Sequence, residues 1–326
     1  MRAAYYDANG PARGVLKLGD VPTPEPGPGE VRVKLATSGV NPSDVKAREG
    51  RTRKIAYPRV IPHSDGAGSI DAVGEGVAKS RIGERVWIWN AQWKRAFGTC
   101  AEYVVLPEAM AVTLPADAGF DEGACLGIPA MTAFQAVATA EAWAGSTLLV
   151  SGGAGGVGHY VIQFAKARGA VVITTVSSDA KAALARKAGA DHTIDYKRKD
   201  VGARVMDLTD NAGVDAVIEM DFAANAALYP RVLRPRGMVV VYGTGAPESQ
   251  IPAQWMLVNA IAVKFIYVYE LTPEERAAAI GEINRMLEAK TLINNVAKTF
   301  PLSEVVAAHE AVESGQVAGN VVVSIA

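Results

Sequence analysis

Residues 147–169 constrain this chain more tightly than any other stretch. An apolar run, TLLVSG, leads straight into GAGGVG, and a helical pattern with apolar Val157, Val161, Ile162 and Phe164 follows at once. Gly153, Gly155 and Gly158 thus stand in GxGxxG spacing between a strand and a helix. In that setting glycines permit a tight turn and close backbone approach. The helix N-terminus then offers free N–H groups and the positive end of its dipole to a pyrophosphate. A glycine-rich turn with no ligand is the plainer alternative, and the units around it argue against it.

From about Ala124 onward, strands alternate with helices. Strands are expected at 147–152, 170–176, 192–196, 214–220 and 237–243, and helices at 157–168, 179–188, 201–209 and about 224–234. Runs such as LLV, VVITTV and VVVY are apolar on both faces, as strands covered by helices on each side require. This is a doubly wound, Rossmann-type α/β domain with a parallel sheet. Residues 1–122 differ, with short β-rich runs (VRVKLATSGV, GSIDAVGEGV, GERVWIWN, AEYVVLPE) punctuated by Gly and Pro, the pattern of a mainly antiparallel β-domain.

Thr272, Pro273 and Glu275 announce a helix running to about Lys290, and Ser303 is the expected cap of a last helix before the strand NVVVSIA. That strand needs a partner, and the first domain is the natural one. At 326 residues the chain exceeds what one core supports. The expected division is 1–123 with 269–326 as a catalytic domain and 124–268 as the nucleotide domain. The segment 262–269 alternates Val263, Phe265, Tyr267 and Tyr269 with smaller or charged residues. As an edge strand it would need covering, so pairing with its copy in a homodimer is expected.

Composition excludes several classes. Lys plus Arg number 33 against 34 Asp plus Glu, so no basic field exists to hold nucleic acid. Uncharged stretches at 123–140 and 142–165 are broken by Gly, Pro, Thr and Gln and are not expected to span a membrane. Two cysteines, Cys100 and Cys125, point to a reducing compartment, the cytoplasm. His63, His159, His192 and His309 stand far apart, and no CxxC or HExxH occurs, so no metal is expected.

The coenzyme is read at the end of the second strand, where an acid marks NAD and small or basic residues mark NADP. Here Ser177 and Ser178 end the strand, Lys181 lies on the next helical turn, and Tyr196, Lys197 and Arg198 end the third strand. Two hydroxyls and an ammonium suit a ribose 2′-phosphate. Asp179 is the competing acid, with a first-turn role at the helix dipole as its plainer reading. The balance favours NADPH. On the other domain, SGVNPSDVKAREG carries Asn41, Asp44 and Lys46. Asn41, Pro42 and Asp44 fit a helix start, and the same residues could hold a carbonyl oxygen that gains charge as hydride arrives.

With these residues in view, the sequence resembles the zeta-crystallin-like quinone oxidoreductase branch of the medium-chain dehydrogenase/reductase superfamily. The resemblance runs through SGVNPSD, PHSDGAGSIDAVGEGV, GERV, AEYVVLP, LGIPAMTAFQAV, SGGAGGVG, KAGADHTIDY, VDAVIEM and FPLSEVVAAHEAVESG. In the zinc-dependent alcohol dehydrogenases of the superfamily a cysteine stands where Asn41 is and a histidine where Ser64 is. The four-cysteine structural lobe has no counterpart between Trp87 and Tyr103. The resemblance implies a GroES-like catalytic domain and a zinc-independent, NADPH-dependent reductase, often dimeric, with its cofactor between the domains.

It further implies Asn41 and Thr132 near the nicotinamide and Gly155, Gly156 and Val157 under the pyrophosphate. Ser177, Ser178, Lys181 and Tyr196 would surround the adenosine phosphate, and Asn225 with Gly243, Thr244 and Gly245 would flank the ribose and nicotinamide side. Lys46 replaces a tyrosine common near the substrate. Asn320 replaces a frequent lysine at a cofactor contact. Three readings stand together at this point: a quinone reductase, a reductase of α,β-unsaturated aldehydes or ketones, and a non-catalytic NADPH-binding protein.

Overall fold

The computed structural model describes residues 1–325. Seven strands come first: β1 (Arg2–Tyr5), β2 (Lys17–Asp20), β3 (Glu30–Val40), β4 (Gly66–Val73), β5 (Arg85–Ile88), β6 (Tyr103–Pro107) and β7 (Ala111–Thr113). Six follow with helices between them: β8 (Thr147–Val150), β9 (Val171–Val176), β10 (His192–Asp195), β11 (Val214–Glu219), β12 (Leu233–Val241) and β13 (Ala262–Phe265). The chain closes with β14 (Val296–Pro301) and β15 (Asn320–Ser324). It divides into two units, Met1–Pro129 with the chain from Ile280 onward, and Ala130–Ala279.

The first unit is built on β3. Val31, Val33 and Leu35 are buried while Lys34 faces solvent, the period of two that a half-buried strand requires. β3 pairs antiparallel with β4, β6 and β15, in a sheet ordered β14-β15-β3-β4-β5-β7. A methyl group on Gly68 would lie 2.1 Å from Lys34 O, so only glycine lets β4 approach there. The final strand thus joins the first unit, as its sequence required.

The second unit is a parallel six-stranded sheet ordered β10-β9-β8-β11-β12-β13. Leu148, Leu149, Val150, Val172, Ile173, Val217, Ile218, Val239 and Val240 are all buried, which explains the uninterrupted apolar runs. Helices Gly156–Ala167, Asp179–Lys187 and Val201–Leu208 occupy the expected gaps.

Three local expectations are corrected. No helix spans 224–234: a short turn of helix, Phe222–Asn225, gives way to a 3-10 segment, Ala226–Arg231, because Pro230 has no N–H to continue the α ladder. Ser303 caps nothing; it lies inside the 3-10 turn Leu302–Glu304 that precedes the helix Val305–Glu313. The 262–269 strand stops at Phe265, because Ile266 N–H reaches Val241 O at the end of β12 and no partner remains beyond it. Val268–Glu270 then turn. The helix Pro273–Glu288 begins as expected: Thr272 N–H donates to Glu275 Oε2 at 2.9 Å and Glu275 N–H to Thr272 Oγ1 at 3.2 Å. No helix among the described residues is long and apolar enough to cross a membrane.

Candidate functional site

In the second unit the glycine-rich turn hangs from the neighbouring strand. Gly152 (φ +68°) donates its N–H to Thr175 Oγ1 at 3.1 Å, and Gly153 N–H donates to Thr174 Oγ1 at 3.0 Å. Thr174 Oγ1 in turn donates to Val150 O at 2.7 Å, tying β9 to β8 under the turn. Gly155 ends the turn as the N-cap residue, and Gly156, Val157 and Gly158 open the helix with N–H groups that have no intrahelical acceptor. A methyl group on Gly158 would stand 2.4 Å from Gly152 O, so helix and turn touch backbone to backbone.

At the adjacent strand ends, buried Glu219 collects four donors. One oxygen accepts from Ser151 Oγ (3.1 Å) and Tyr229 Oη (3.2 Å), the other from Asp221 N (2.7 Å) and Asn225 Nδ2 (3.0 Å). One amide hydrogen of Asn225 is therefore spent on Glu219. Gly243 lies where a methyl group would meet Met220 O at 2.3 Å, Gly245 N–H donates to Asp221 Oδ1 at 2.8 Å, and Thr244 Oγ1 donates to Ala246 O at 2.9 Å. Together with the turn, these residues form the carboxyl ends of β8, β11 and β12, where doubly wound sheets bind their ligands. Thr132 is buried in the helix Met131–Thr139 of the same unit.

At the tip of β9 the dissenting acid has a partner of its own. Asp179 is 86% exposed in its side chain and forms an ion pair with Arg198 at 3.3 Å, while Ser178 caps the helix by accepting from Lys181 N–H at 3.3 Å. The Lys181 ammonium has no carboxylate partner among the described residues, and Ser177 and the half-exposed Tyr196 ring stand at the same two strand ends. These residues suit an added phosphate.

In the first unit Asn41 is gripped by two buried acids. Its backbone N–H donates to Asp44 Oδ2 at 2.8 Å, and its side-chain Nδ2 donates to Asp65 Oδ1 at 2.9 Å. Asp65 Oδ2 accepts from Ile128 N–H at 3.1 Å, and Gly39 has no room for a side chain because Asp65 Oδ1 would lie 2.4 Å from its methyl group. The Asn41 side chain also interacts with the Asp44 carboxyl, so both acids hold it. Burial pushes Asp44 up to about 7 and Asp65 well above the usual carboxylate range, where the neighbouring Asp44 adds to the effect. Lys46 sits further along the helix Pro42–Glu49. Asn320, at the start of β15, is buried and donates to Asn295 O at 3.4 Å.

Behind Asp65 runs a buried polar chain. Thr99 Oγ1 donates to Asp65 O at 2.6 Å, so the Ser38 hydroxyl must donate to Thr99 Oγ1 at 2.7 Å. His63 Nδ1–H then donates to Ser38 Oγ at 2.8 Å, which leaves His63 Nε2 to accept from His309 Nε2–H at 3.0 Å. Residues 63 and 309, distant in sequence, stack with ring centres 5.1 Å apart.

Burial pushes His63 down to about 3, and burial with the nearby His63 and Arg48 pushes His309 well below 6.5. Unfolded imidazoles take up protons near 6.5 while these stay neutral, so their contribution is intact above 6.5 and drains away as pH falls toward 3. Asp44 has the opposite sign, favouring the fold below 3.8 and losing that contribution as pH rises through about 7. In His309→Gln the loss of unfolding free energy between pH 7 and pH 5 is expected to shrink by about 2 kcal/mol, read from urea melts. An unchanged difference would contradict the neutral pair.

Ser64 Oγ is buried without a hydrogen-bond partner. An amide at 41 and a hydroxyl at 64 are not the thiolate and imidazole that zinc selects. Among the described residues no cluster of three or more His, Cys, Asp or Glu is placed to hold a metal ion. The residues present do not suit zinc. Cys100 and Cys125 are free and buried, and burial pushes both thiols up, away from reactivity.

Sequence reasoning missed Asp65, Glu219 and the Thr174–Thr175 pair. Two threonines ending an otherwise apolar VVITTV run were the available signal for the last, since a buried hydroxyl in a central strand must find a partner.

Residues 156–285 match the zinc-binding dehydrogenase family and residues 27–116 the alcohol dehydrogenase GroES-like domain. A quinone oxidoreductase of Pseudomonas aeruginosa is 32% identical over 317 residues, covering 94% of this chain and 95% of that one. A 2-haloacrylate reductase of a Burkholderia species is 30% identical over 335 residues, covering 99% and 98%. A mycobacterial protein solved in complex with NADPH superposes with a TM-score of 0.89 at 28% identity, covering both chains fully.

Proposed function

The chain belongs to the medium-chain dehydrogenase/reductase superfamily, in its quinone oxidoreductase branch, and from that premise we propose that it carries a hydride from NADPH to a quinone with no metal ion in the step. The observation that carries the reading is the Asn41 side chain, held in place by the two buried acids Asp65 and Asp44. NADPH, when bound, supplies hydride from C4 of its nicotinamide. The turn Gly153–Gly158 holds the pyrophosphate, and Ser177, Ser178, Lys181 and Tyr196 hold the adenosine phosphate. Thr132, Asn225, Gly243, Thr244 and Gly245 border the ribose and nicotinamide.

A quinone spreads the charge it gains over its conjugated carbonyls, so a fixed hydrogen-bond donor can replace a Lewis acid at the reacting oxygen. Asn41 is that donor, and Asp44 and Asp65 position it. Hydride plus one proton from water or the Lys46 ammonium makes the hydroquinone. Purified protein is expected to oxidise NADPH with 1,4-naphthoquinone at a rate that a chelator leaves unchanged. Absence of turnover on quinones, or a rate lost to chelator and restored by zinc, would overturn the reading.

Lys181 gives a sharper check. Its replacement by alanine removes a charge-assisted contact, so the ratio of kcat/KM for NADPH to that for NADH is expected to fall about tenfold. An unmoved ratio would remove the phosphate role.

A second reading, hydride to the β-carbon of an unsaturated aldehyde or ketone and a proton to the α-carbon, is supported in part by the 2-haloacrylate reductase relative, whose name denotes a conjugated acid. Rates with a quinone and an alkenal, side by side, separate the two. β13 ends the six-stranded sheet, with Phe265, Tyr267, Leu257 and Val258 all exposed, and a homodimer formed along it would cover that edge. A monomeric mass at micromolar concentration would exclude the dimer. Two buried, unbridged thiols suit the cytoplasm.

A further inference from the structure

A cation in the first unit lies near the Asn41 cluster with no carboxylate in ion-pair contact among the described residues. Arg53 donates through Nη2 to Gln92 Oε1, and its guanidinium lies 5.3 Å from the Trp93 ring centre. Gln92 is buried and fixed in orientation, since its Nε2 donates to Arg95 O at 2.9 Å and so turns the amide oxygen toward Arg53. Both holders are neutral. The flanking arginines behave otherwise: Arg51 pairs with Glu49 at 3.2 Å and Arg59 with Asp7 at 3.0 Å. Arg53 forms no ion pair with any described residue.

The place of this cation is set by its neighbours. Gln92 packs against Gly98 together with the carbonyl of His63, and Ala91 N–H donates to Ser64 O at 2.8 Å. Arg53 is therefore held on the segment that leads directly into Asp65, the acid that aims Asn41. Its charge is felt at Asp44 and at the buried Tyr6 hydroxyl. A second cation, Lys94, lies 5.4 Å from the same Trp93 ring.

A half-buried guanidinium is oriented here by an amide oxygen and an aromatic face, and its Nε–H and Nη1–H groups have no acceptor among the described residues. The group that best meets a planar fork of donors beside an indole is a carboxylate. We propose that Arg53 is a specificity-determining residue that binds a carboxylate on the acceptor, so that this protein prefers acceptors bearing a carboxylate near the carbonyl or double bond held at Asn41. This rests on the reading of Asn41 as the place of the acceptor oxygen.

The test has a binding arm and a turnover arm. Benzoate and the neutral benzamide are titrated into the full chain while tryptophan fluorescence is followed. Benzoate is expected to bind at least tenfold more tightly, the preference to vanish in Arg53→Gln and to return in part in Arg53→Lys. Equal affinity for the two, or a preference that survives Arg53→Gln, would overturn the proposal.

With NADPH, the ratio of kcat/KM for a carboxylated 1,4-benzoquinone to that for 1,4-benzoquinone is expected to fall at least tenfold in Arg53→Gln, through KM rather than kcat. A ratio that stays put would equally overturn it. If neither quinone is reduced by the wild-type chain, the quinone reading fails, while the benzoate arm still decides the role of Arg53.

Discussion

Alanine at position 158 is expected to raise the dissociation constant for NADPH by at least about a hundredfold, close to 2.7 kcal/mol. The added methyl group would sit 2.4 Å from Gly152 O and 3.0 Å from both Gly152 C and Gly153 Cα, all of them backbone atoms. No side chain is there to swing aside. Either the helix Gly156–Ala167 lifts from the turn or the turn opens, and Thr174 and Thr175 hold the turn in place. The N–H groups that face the pyrophosphate then lose their common aim. Gly155→Ala is the internal comparison, because its methyl group would meet only Gly152 O, at 3.2 Å, and a loss under about tenfold is expected. Calorimetric titration of both variants decides the matter. Equal affinities would mean that close packing of helix on turn is not what the coenzyme depends on.

The second large effect belongs to Asn41. If Asn41 is the proposed donor to the acceptor oxygen, its replacement by alanine removes that contact, and kcat is expected to fall about 10²- to 10³-fold, the usual cost of one such donor. Affinity for the coenzyme is expected to change far less than kcat. The Asp65 carboxyl then loses the one donor it receives from a side chain, a change costing about 1–3 kcal/mol of stability. Asp65→Asn separates positioning from contact, since an amide oxygen can still accept from Asn41 Nδ2 but binds it less firmly. A smaller fall in kcat is expected for it than for Asn41→Ala. A kcat within twofold of wild type in Asn41→Ala would remove Asn41 from the reaction.

How much of this was legible in the sequence depended on how far apart the cooperating residues lie. The nucleotide unit was read nearly strand by strand, because runs such as TLLV and VVITTV are buried on both faces and Gly158 must be small for a purely local reason. Asn41 and Asp44 were legible for the same reason, being three residues apart on one helix start. Asp65 was not, because its role exists only where residues 41, 65 and 128 meet. The His63–His309 pair was invisible for the same cause. Ser303 misled because a residue suited to capping lies one turn too early when a 3-10 segment comes first.

The sheet of the first unit is closed by β15, which lies between β14 and β3 with Val321, Val322 and Val323 buried. On a ribosome, residues 130–279 emerge as one uninterrupted stretch and hold every strand of their own sheet. The first unit begins to emerge earlier yet must wait for residues 320–324 before its central ladder is complete. Synthesis therefore completes the sheet of the second unit before that of the first, and a nascent chain stalled before residue 320 would own the one without the other.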